Sequence, residues 1–379
     1  MSWDDVAVGC IGVDLSRRNY FMKILIIGCG SIGRRHARNV RALGAEVMLC
    51  DVNESRMREF GEEIGASGYF TDFNKAAVLS GADVAVVATP SNLHTAPARA
   101  ALKAGLDILI EKPLCMSVSE SIGLRSVVRE TGLVCMMAHT YRFRAEWVEL
   151  KRVLDATPLG RVYSAEFMGG WYLPDWHVRE DYRHEYASQK RLGGGVLLTS
   201  LSHFFDVIAW FFGDIERITG ARMRLGDLEL DVDDAAVCAL RTSSGVAVTL
   251  SEDFLSRCPR RLLRINSEYG YIEADFNRKI LSVWDARKKR FHPDDPAANS
   301  LGCPRFRILE DGVAYDPNPD ISPMMYSGND AYLSELKYFF ELVASRKTVF
   351  DLDIDAGIKA LEAMFHAGIE DWTLDKVGK

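Results

Sequence analysis

Between Lys23 and Ala138, five short unbroken apolar runs alternate with stretches of helical spacing. The runs are Ile24–Ile27, Val47–Leu49, Val84–Ala88, Ile108–Ile110 and Val134–Ala138. Between them, Ile32–Leu43, Ser55–Ile64, Leu93–Ala104 and Ser117–Glu130 repeat apolar residues at helical intervals. A run without polar alternation is a strand buried on both faces, and parallel strands joined through helices are buried in that way. The order predicts an α/β N-terminal domain, a doubly wound parallel sheet of the Rossmann type. Ligands of such a sheet bind at the carboxyl ends of its strands.

The first run leads straight into Gly28-Cys29-Gly30-Ser31-Ile32-Gly33, and the second ends on Asp51. Strand, G-x-G-x-x-G, helix and a later acid is the pattern of a dinucleotide site. Gly28 permits the turn, Gly30 lets the backbone approach a pyrophosphate, and Gly33 allows close helix–strand packing. The helix N-terminus supplies N–H groups and partial positive charge. Asp51 suits the ribose hydroxyls and repels a 2′-phosphate, so NAD(H) is preferred; Arg56 close by leaves NADP(H) open. The plainer reading is a glycine-rich turn with no ligand.

After Tyr141 the pattern changes to a helix, Ala145–Asp155, and β-branched strand-like runs: Val162–Phe167, Ala235–Leu240, Val246–Leu250, Leu262–Ile265 and Tyr271–Phe276. These predict an α+β C-terminal domain with a large, mostly antiparallel open sheet. A chain of 379 residues fits two domains. The expected division is an extension over 1–21, a nucleotide domain over 22–140 and a substrate and oligomerisation domain over 141–379. The C-terminal helices, Asp330–Ser345 and Asp355–Ala367, are candidates to pack back on the first domain; 285–325, rich in Pro, Asp and Asn, reads as a long excursion.

A net charge of -7 argues against nucleic-acid or anionic-membrane partners. No apolar run approaches the roughly 20 residues that span a bilayer. Eight cysteines without a C-x-x-C pair read as reduced core thiols, which suits a cytoplasmic protein.

The fourth run closes on Glu111-Lys112-Pro113. An ammonium at a carboxyl strand end beside a dinucleotide can stabilise charge on a reacting oxygen, and partial desolvation lowers its pKa toward proton transfer. A solvated strand-end lysine is the alternative. GCGSIG (28–33), ATPSNLH (88–94), EKPL (111–114), YRF (141–143) and GGGVLLTSLSHFFD (193–206) follow in the order and spacing of one family. On these the chain resembles the glucose–fructose oxidoreductase / inositol dehydrogenase / rhizopine-catabolism (Gfo/Idh/MocA) family over roughly 22–370. The resemblance implies that Lys112 contacts both nicotinamide and substrate. It also brings Thr89, Pro90, Asn92, His94 and Glu111 to the cofactor. Asn92 or Ser91 is placed to cap the following helix. The family pattern D-x-x-x-H points to His203 as a second catalytic group, but Thr199 stands where its acid is expected. Gly193–Gly195 reads as backbone lying under cofactor and sugar.

Gly169–Arg191 is dense in aromatic and charged residues, as sugar sites and oligomer contacts both are. Tyr141, Arg142, Trp176, His177, Tyr182, Thr199 and His203 are the candidate substrate residues. His177 and His184 have no familiar ligand spacing, so no metal is expected. The expected activity is an NAD(P)-dependent dehydrogenase or reductase acting on the CH–OH group of a sugar, amino sugar, nucleotide sugar or cyclitol. The alternatives are a glycosidase with transient NAD oxidation and a non-enzymatic NAD-responsive sugar-binding regulator. The open sheet predicts a homo-oligomer, dimer or tetramer.

Overall fold

The computed structural model describes residues 22–176, 181–288, 329–366 and 368–372. The 1–21 extension, His177 and residues 289–325 of the 285–325 excursion lie outside them. Two compact units result, one of residues up to Phe143 with Asn329–Ile358, the other of Arg144 onward with residues from Lys359.

The first unit runs β1 (Lys23–Ile27), α1 (Ser31–Ala42), β2 (Glu46–Cys50), α2 (Glu54–Ile64), β3 (Gly68–Phe70), α3 (Phe73–Leu79), β4 (Val84–Val87), α4 (Thr95–Lys103), β5 (Asp107–Glu111), α5 (Val118–Thr131) and β6 (Cys135–Ala138). The strands order as β3-β2-β1-β4-β5-β6, all parallel. Ile24–Ile26, Val84–Val87 and Ile108–Ile110 have no exposed surface. This is why these segments show no polar alternation. The chain reverses between β1 and β4, and the crevice at that switch point is where such sheets take ligands.

The second unit runs α6 (Ala145–Ala156), β7 (Val162–Gly170), α7 (Val196–Thr199), α8 (Leu201–Phe212), β8 (Ile215–Met223), β9 (Ala235–Thr242), β10 (Ala247–Asp253), β11 (Arg260–Ser267), β12 (Gly270–Asp275) and β13 (Ile280–Asp285). After α9 (Asn329–Ser345) and α10 (Ile354–Met364), β14 (Ile369–Trp372) closes the sheet in the order β13-β12-β11-β7-β10-β9-β8-β14. Only the β7–β10 and β8–β14 pairs are parallel. One face is covered: Trp147 of α6 stacks 4.2 Å from Phe276, and Phe167 of β7 meets Phe204 of α8 at 5.9 Å. The other face alternates outward, so Ala236, Cys238 and Leu240 are buried while Val237, Ala239 and Arg241 are exposed.

Helix α9 belongs to the first unit: Ala331, Leu336, Phe339 and Phe340 share one core with Ile24, Val47, Leu109 and Met136. Its far end is tied by Arg346 to Asp107 at 2.7 Å. The apolar stretch Val196–Phe212, which reads as one helix, breaks at Ser200 into α7 and α8. Among the described residues no single helix is long and apolar enough to cross a membrane.

Candidate active site

At the end of β1 the chain turns on Gly28, whose φ is 101°; a Cβ there would lie 2.5 Å from the Ala88 carbonyl oxygen. A Cβ on Gly33 would lie 1.8 Å from the Gly28 carbonyl oxygen, so α1 packs on the turn only through glycine. Gly30 differs: a Cβ there would meet nothing within 4 Å. Its backbone therefore faces open space at the start of α1. That helix has no side-chain cap and no acid in its first turn, where Ser31 and Ile32 stand. Uncapped N–H groups and partial positive charge suit a diphosphate.

Asp51 is held by the same turn. Its Oδ2 accepts the Cys29 N–H at 2.6 Å and its Oδ1 the Asn53 N–H at 2.8 Å. The Arg56 guanidinium lies 3.3 Å from both oxygens. Burial, with Asp51 beside it, pushes the Cys29 thiol up to about 12, so it is no nucleophile.

After β4, Thr89 keeps a buried hydroxyl with no hydrogen-bond partner among the described residues. Orphaned hydroxyls are rare in native interiors, and one at a carboxyl strand end invites a ligand. Ser91–Leu93 forms a single 3₁₀ turn, with Pro90 before it and Asn92 exposed on it. Neither Ser91 nor Asn92 caps α4: the cap position is His94, which makes no side-chain cap bond. His94 is buried, and its two ring nitrogens lie 2.8 Å from the carbonyls of Thr89 and Pro113. It joins the loops after β4 and β5. Burial pushes its pKa down, against the pull of both carbonyls.

At the end of β5, Glu111 is buried, and His36 of α1 meets its Oε1 at 2.8 Å. Burial pushes the Glu111 carboxyl up, but His36, Lys112 and His94 outweigh it and hold it below its ordinary value. Lys112 is half-buried, on a cis bond to Pro113. Burial brings its ammonium down to about 8, with Glu111 opposing. A second carboxyl, Glu335 of α9, is completely buried and takes the Thr140 hydroxyl at 3.3 and 3.4 Å. Burial pushes Glu335 well above the carboxylate range, and the charge on Glu111 adds to this.

His36 and Glu335 were invisible to motif reading because their partners lie 75 and 195 residues away. The available signal for His36 was a polar residue on the apolar side of α1. Tyr141 and Arg142 are both buried, in a 3₁₀ turn directly after β6.

In the second unit, Thr199 is buried and donates from Oγ1 to the Gly195 carbonyl at 2.7 Å. His203 is half-buried, in the first turn of α8. Trp176 meets Phe254 edge-on at 5.2 Å, and the Tyr182 hydroxyl accepts the Glu229 N–H at 3.1 Å. Trp171 lines a pocket with Arg144, Trp147, Arg261 and Asn277. The glycine run lies against protein: a Cβ on Gly194 would sit 2.5 Å from the Tyr186 carbonyl oxygen.

The sequence matches two family models, the NAD-binding Rossmann fold of the GFO/IDH/MocA oxidoreductase family over residues 22–139 and its C-terminal domain over 147–273. It is 25% identical to the NAD(+)-dependent scyllo-inositol 2-dehydrogenase of Bacillus subtilis, covering 89% of this chain and 90% of that protein. It is also 25% identical to the UDP-N-acetylglucosamine 3-dehydrogenase of Acidithiobacillus ferrooxidans, over 90% and 95% of the two chains. A levoglucosan dehydrogenase solved with NADH shares the fold, at a TM-score of 0.73 and 20% identity over 90% of this chain and 95% of that one. The glycine turn with its open face at Gly30, the acid at the end of β2 and both matching halves place the chain in one family: it is an NAD-binding oxidoreductase of the GFO/IDH/MocA family.

Proposed function

We propose that this enzyme moves a hydride between NAD(H) and a secondary alcohol or ketone of a sugar, amino sugar, nucleotide sugar or cyclitol. The observation that carries the reading is the placement of Lys112 at the carboxyl end of β5 beside Glu111, where burial lowers its ammonium to about 8. A catalytic group is most effective when its pKa lies near the working pH.

The first unit holds the cofactor. Gly30 and the start of α1 receive the diphosphate, Asp51 the adenosine ribose, and Thr89 with Pro90 and Asn92 lines the nicotinamide half. Bound there, the nicotinamide supplies the hydride acceptor or donor. Lys112 manages the proton. As a neutral amine it accepts the hydroxyl proton while the carbinol C–H bond breaks; as an ammonium it returns that proton to the ketone oxygen. Glu111, anchored by His36, keeps the ammonium from losing its proton too early. NAD(H) is preferred because Asp51, held in the turn by the Cys29 N–H, presents its carboxylate to a 2′-phosphate, an effect that Arg56 beside it softens.

The second unit provides contacts for the sugar through Tyr182, Trp176, Thr199 and His203; Tyr141 and Arg142, in the turn after β6, remain candidate contacts of the first unit. His203 is the second proton-handling group. The exposed face of the second sheet, with Val237 at 41% exposure, is the surface for a dimer or tetramer. Six free cysteines among the described residues suit a reducing, cytoplasmic setting.

Lys112→Met tests the reading. It should lower turnover by about a thousandfold, the scale of one charge-stabilising donor, while NADH still raises the melting temperature as in the wild type. Turnover within tenfold of wild type would remove Lys112 from the chemistry. Sugar release without net NADH would point instead to a glycosidase.

A further inference from the structure

Thr199 offers the proton chemistry of the second unit no acid, and its hydroxyl is committed to the Gly195 carbonyl. Helical side chains lean toward the N-terminus and cover the preceding turn. An acid at position 199 would therefore place its carboxylate near Gly195. A carboxylate is already there, delivered by a different segment. Asp233, two residues before β9, sets its Oδ2 2.9 Å from the Leu197 N–H, and its backbone carbonyl accepts the Val196 N–H at 3.2 Å. Its Oδ1 lies over Gly195, where a Cβ would come within 2.3 Å of it. Gly195 has φ 103° and ψ 154°, a region essentially closed to other residues, and its missing side chain makes the room that Asp233 fills.

The neighbouring acid shows that this is not a generic loop contact. Asp234 is fully buried and spends both oxygens on backbone, accepting Leu225 N–H at 2.7 Å and Gly226 N–H at 2.8 Å. Asp233, by contrast, remains half-buried, with its Oδ1 over Gly195. Burial brings its carboxyl up to about 6; the Leu197 N–H and Arg222 pull it down, and Asp234 pushes it up. Arg222 is itself engaged by Asp371.

We infer that Asp233 supplies the carboxylate of the sugar site in the second unit, seated over Gly195 beside Thr199 and accepting a substrate hydroxyl. The assignment rests on the dehydrogenase reading above. An anionic acceptor binds a hydroxyl more strongly than a neutral one, and it can share the proton as the carbinol reacts.

The test uses the full-length enzyme, saturating NAD and a panel of myo-inositol, glucose, N-acetylglucosamine and UDP-N-acetylglucosamine. Asp233→Asn keeps an oxygen for the Leu197 N–H. It should leave the melting temperature and NADH affinity near wild type while kcat/KM falls about a hundredfold, as for loss of one charged hydrogen-bonding group. The acid limb near pH 6 should vanish from the profile. Thr199→Asp in that background should recover at least about tenfold. Asp233→Asn within about twofold of wild type, or a loss that follows melting temperature and is not rescued by Thr199→Asp, would reduce Asp233 to a helix cap. A wild type that turns over none of the panel would overturn the dehydrogenase reading and this assignment together, whereas an active wild type with an unaffected Asp233→Asn would overturn this assignment alone.

Discussion

The two glycine turns of this molecule look alike in sequence and do opposite things. A side chain added at Gly30 would meet nothing within 4 Å, whereas one added at Gly195 would strike Asp233 Oδ1 at 2.3 Å. Among the described residues the first turn leaves open the space at the start of α1 where the proposed diphosphate would approach. The second keeps space clear for a carboxylate of the same chain. Glycine spacing alone cannot separate these cases; what approaches the missing Cβ can. At Gly194 and Gly195 the room a side chain would take is filled by Tyr186, Ala187 and Asp233.

The comparison breaks most visibly under paired substitution. Gly30→Val should leave the cofactor-free melting temperature almost unchanged and weaken NADH by about a hundredfold, since the added bulk stands where the diphosphate approaches. Gly195→Ala should do the reverse. A backbone region reserved for glycine costs about 1–3 kcal/mol when forced on alanine, so the melting temperature falls while NADH affinity holds. Fluorescence titration with NADH and thermal melts of both variants decide it. If Gly30→Val binds NADH normally, the open face has another purpose.

Most of the first unit was legible because doubly buried strands leave an unmistakable run of apolar residues. β3 escaped because three half-buried residues, Gly68–Phe70, carry no pattern. β8 escaped for a different reason: its register shifts between Ile215 and Arg217, which breaks the alternation a half-exposed strand should show. The motif residues at the strand ends were readable, as chemistry at a carboxyl edge recurs at fixed spacing. Residues that act from behind them were not. His36, Glu335 and Asp233 meet their neighbours only after folding, and no local spacing encodes that.

Glu111 and Glu335 repeat the contrast in charge. Both are buried acids in the first unit, yet among the described residues Glu111 has His36 at 2.8 Å whereas Glu335 has the Thr140 hydroxyl at 3.3 and 3.4 Å. The unpaired acid should hold its proton. A carboxyl whose folded pKa is raised stabilises the fold below its unfolded value of about 4.3 and loses that stability as pH rises toward the folded value, at up to about 1.4 kcal/mol per pH unit. Glutamine does not titrate. Glu335→Gln should therefore gain on the wild type from pH 5 upward, with a widening gap in denaturant midpoint. A constant gap would mean that Glu335 is ionised in the native state.

The smallest effect concerns how Glu111 tunes Lys112. Two influences act on that ammonium in opposite directions: burial brings it down and the Glu111 charge holds it up, with the balance at about 8. In the oxidative direction the neutral amine is the working form, so kcat/KM should rise with pH through about 8, and in the reductive direction it should fall over the same range. Glu111→Gln removes the charge and keeps an oxygen for His36. Burial is then unopposed by that carboxylate, and both limbs should move to lower pH by roughly half a unit to one unit. The shift is modest because the carboxylate already divides its charge between Lys112 and His36. A move to higher pH would mean that Glu111 destabilises the ammonium, reversing the electrostatics on which the role of Lys112 depends. No movement, with turnover preserved, would assign the limb to a group other than Lys112.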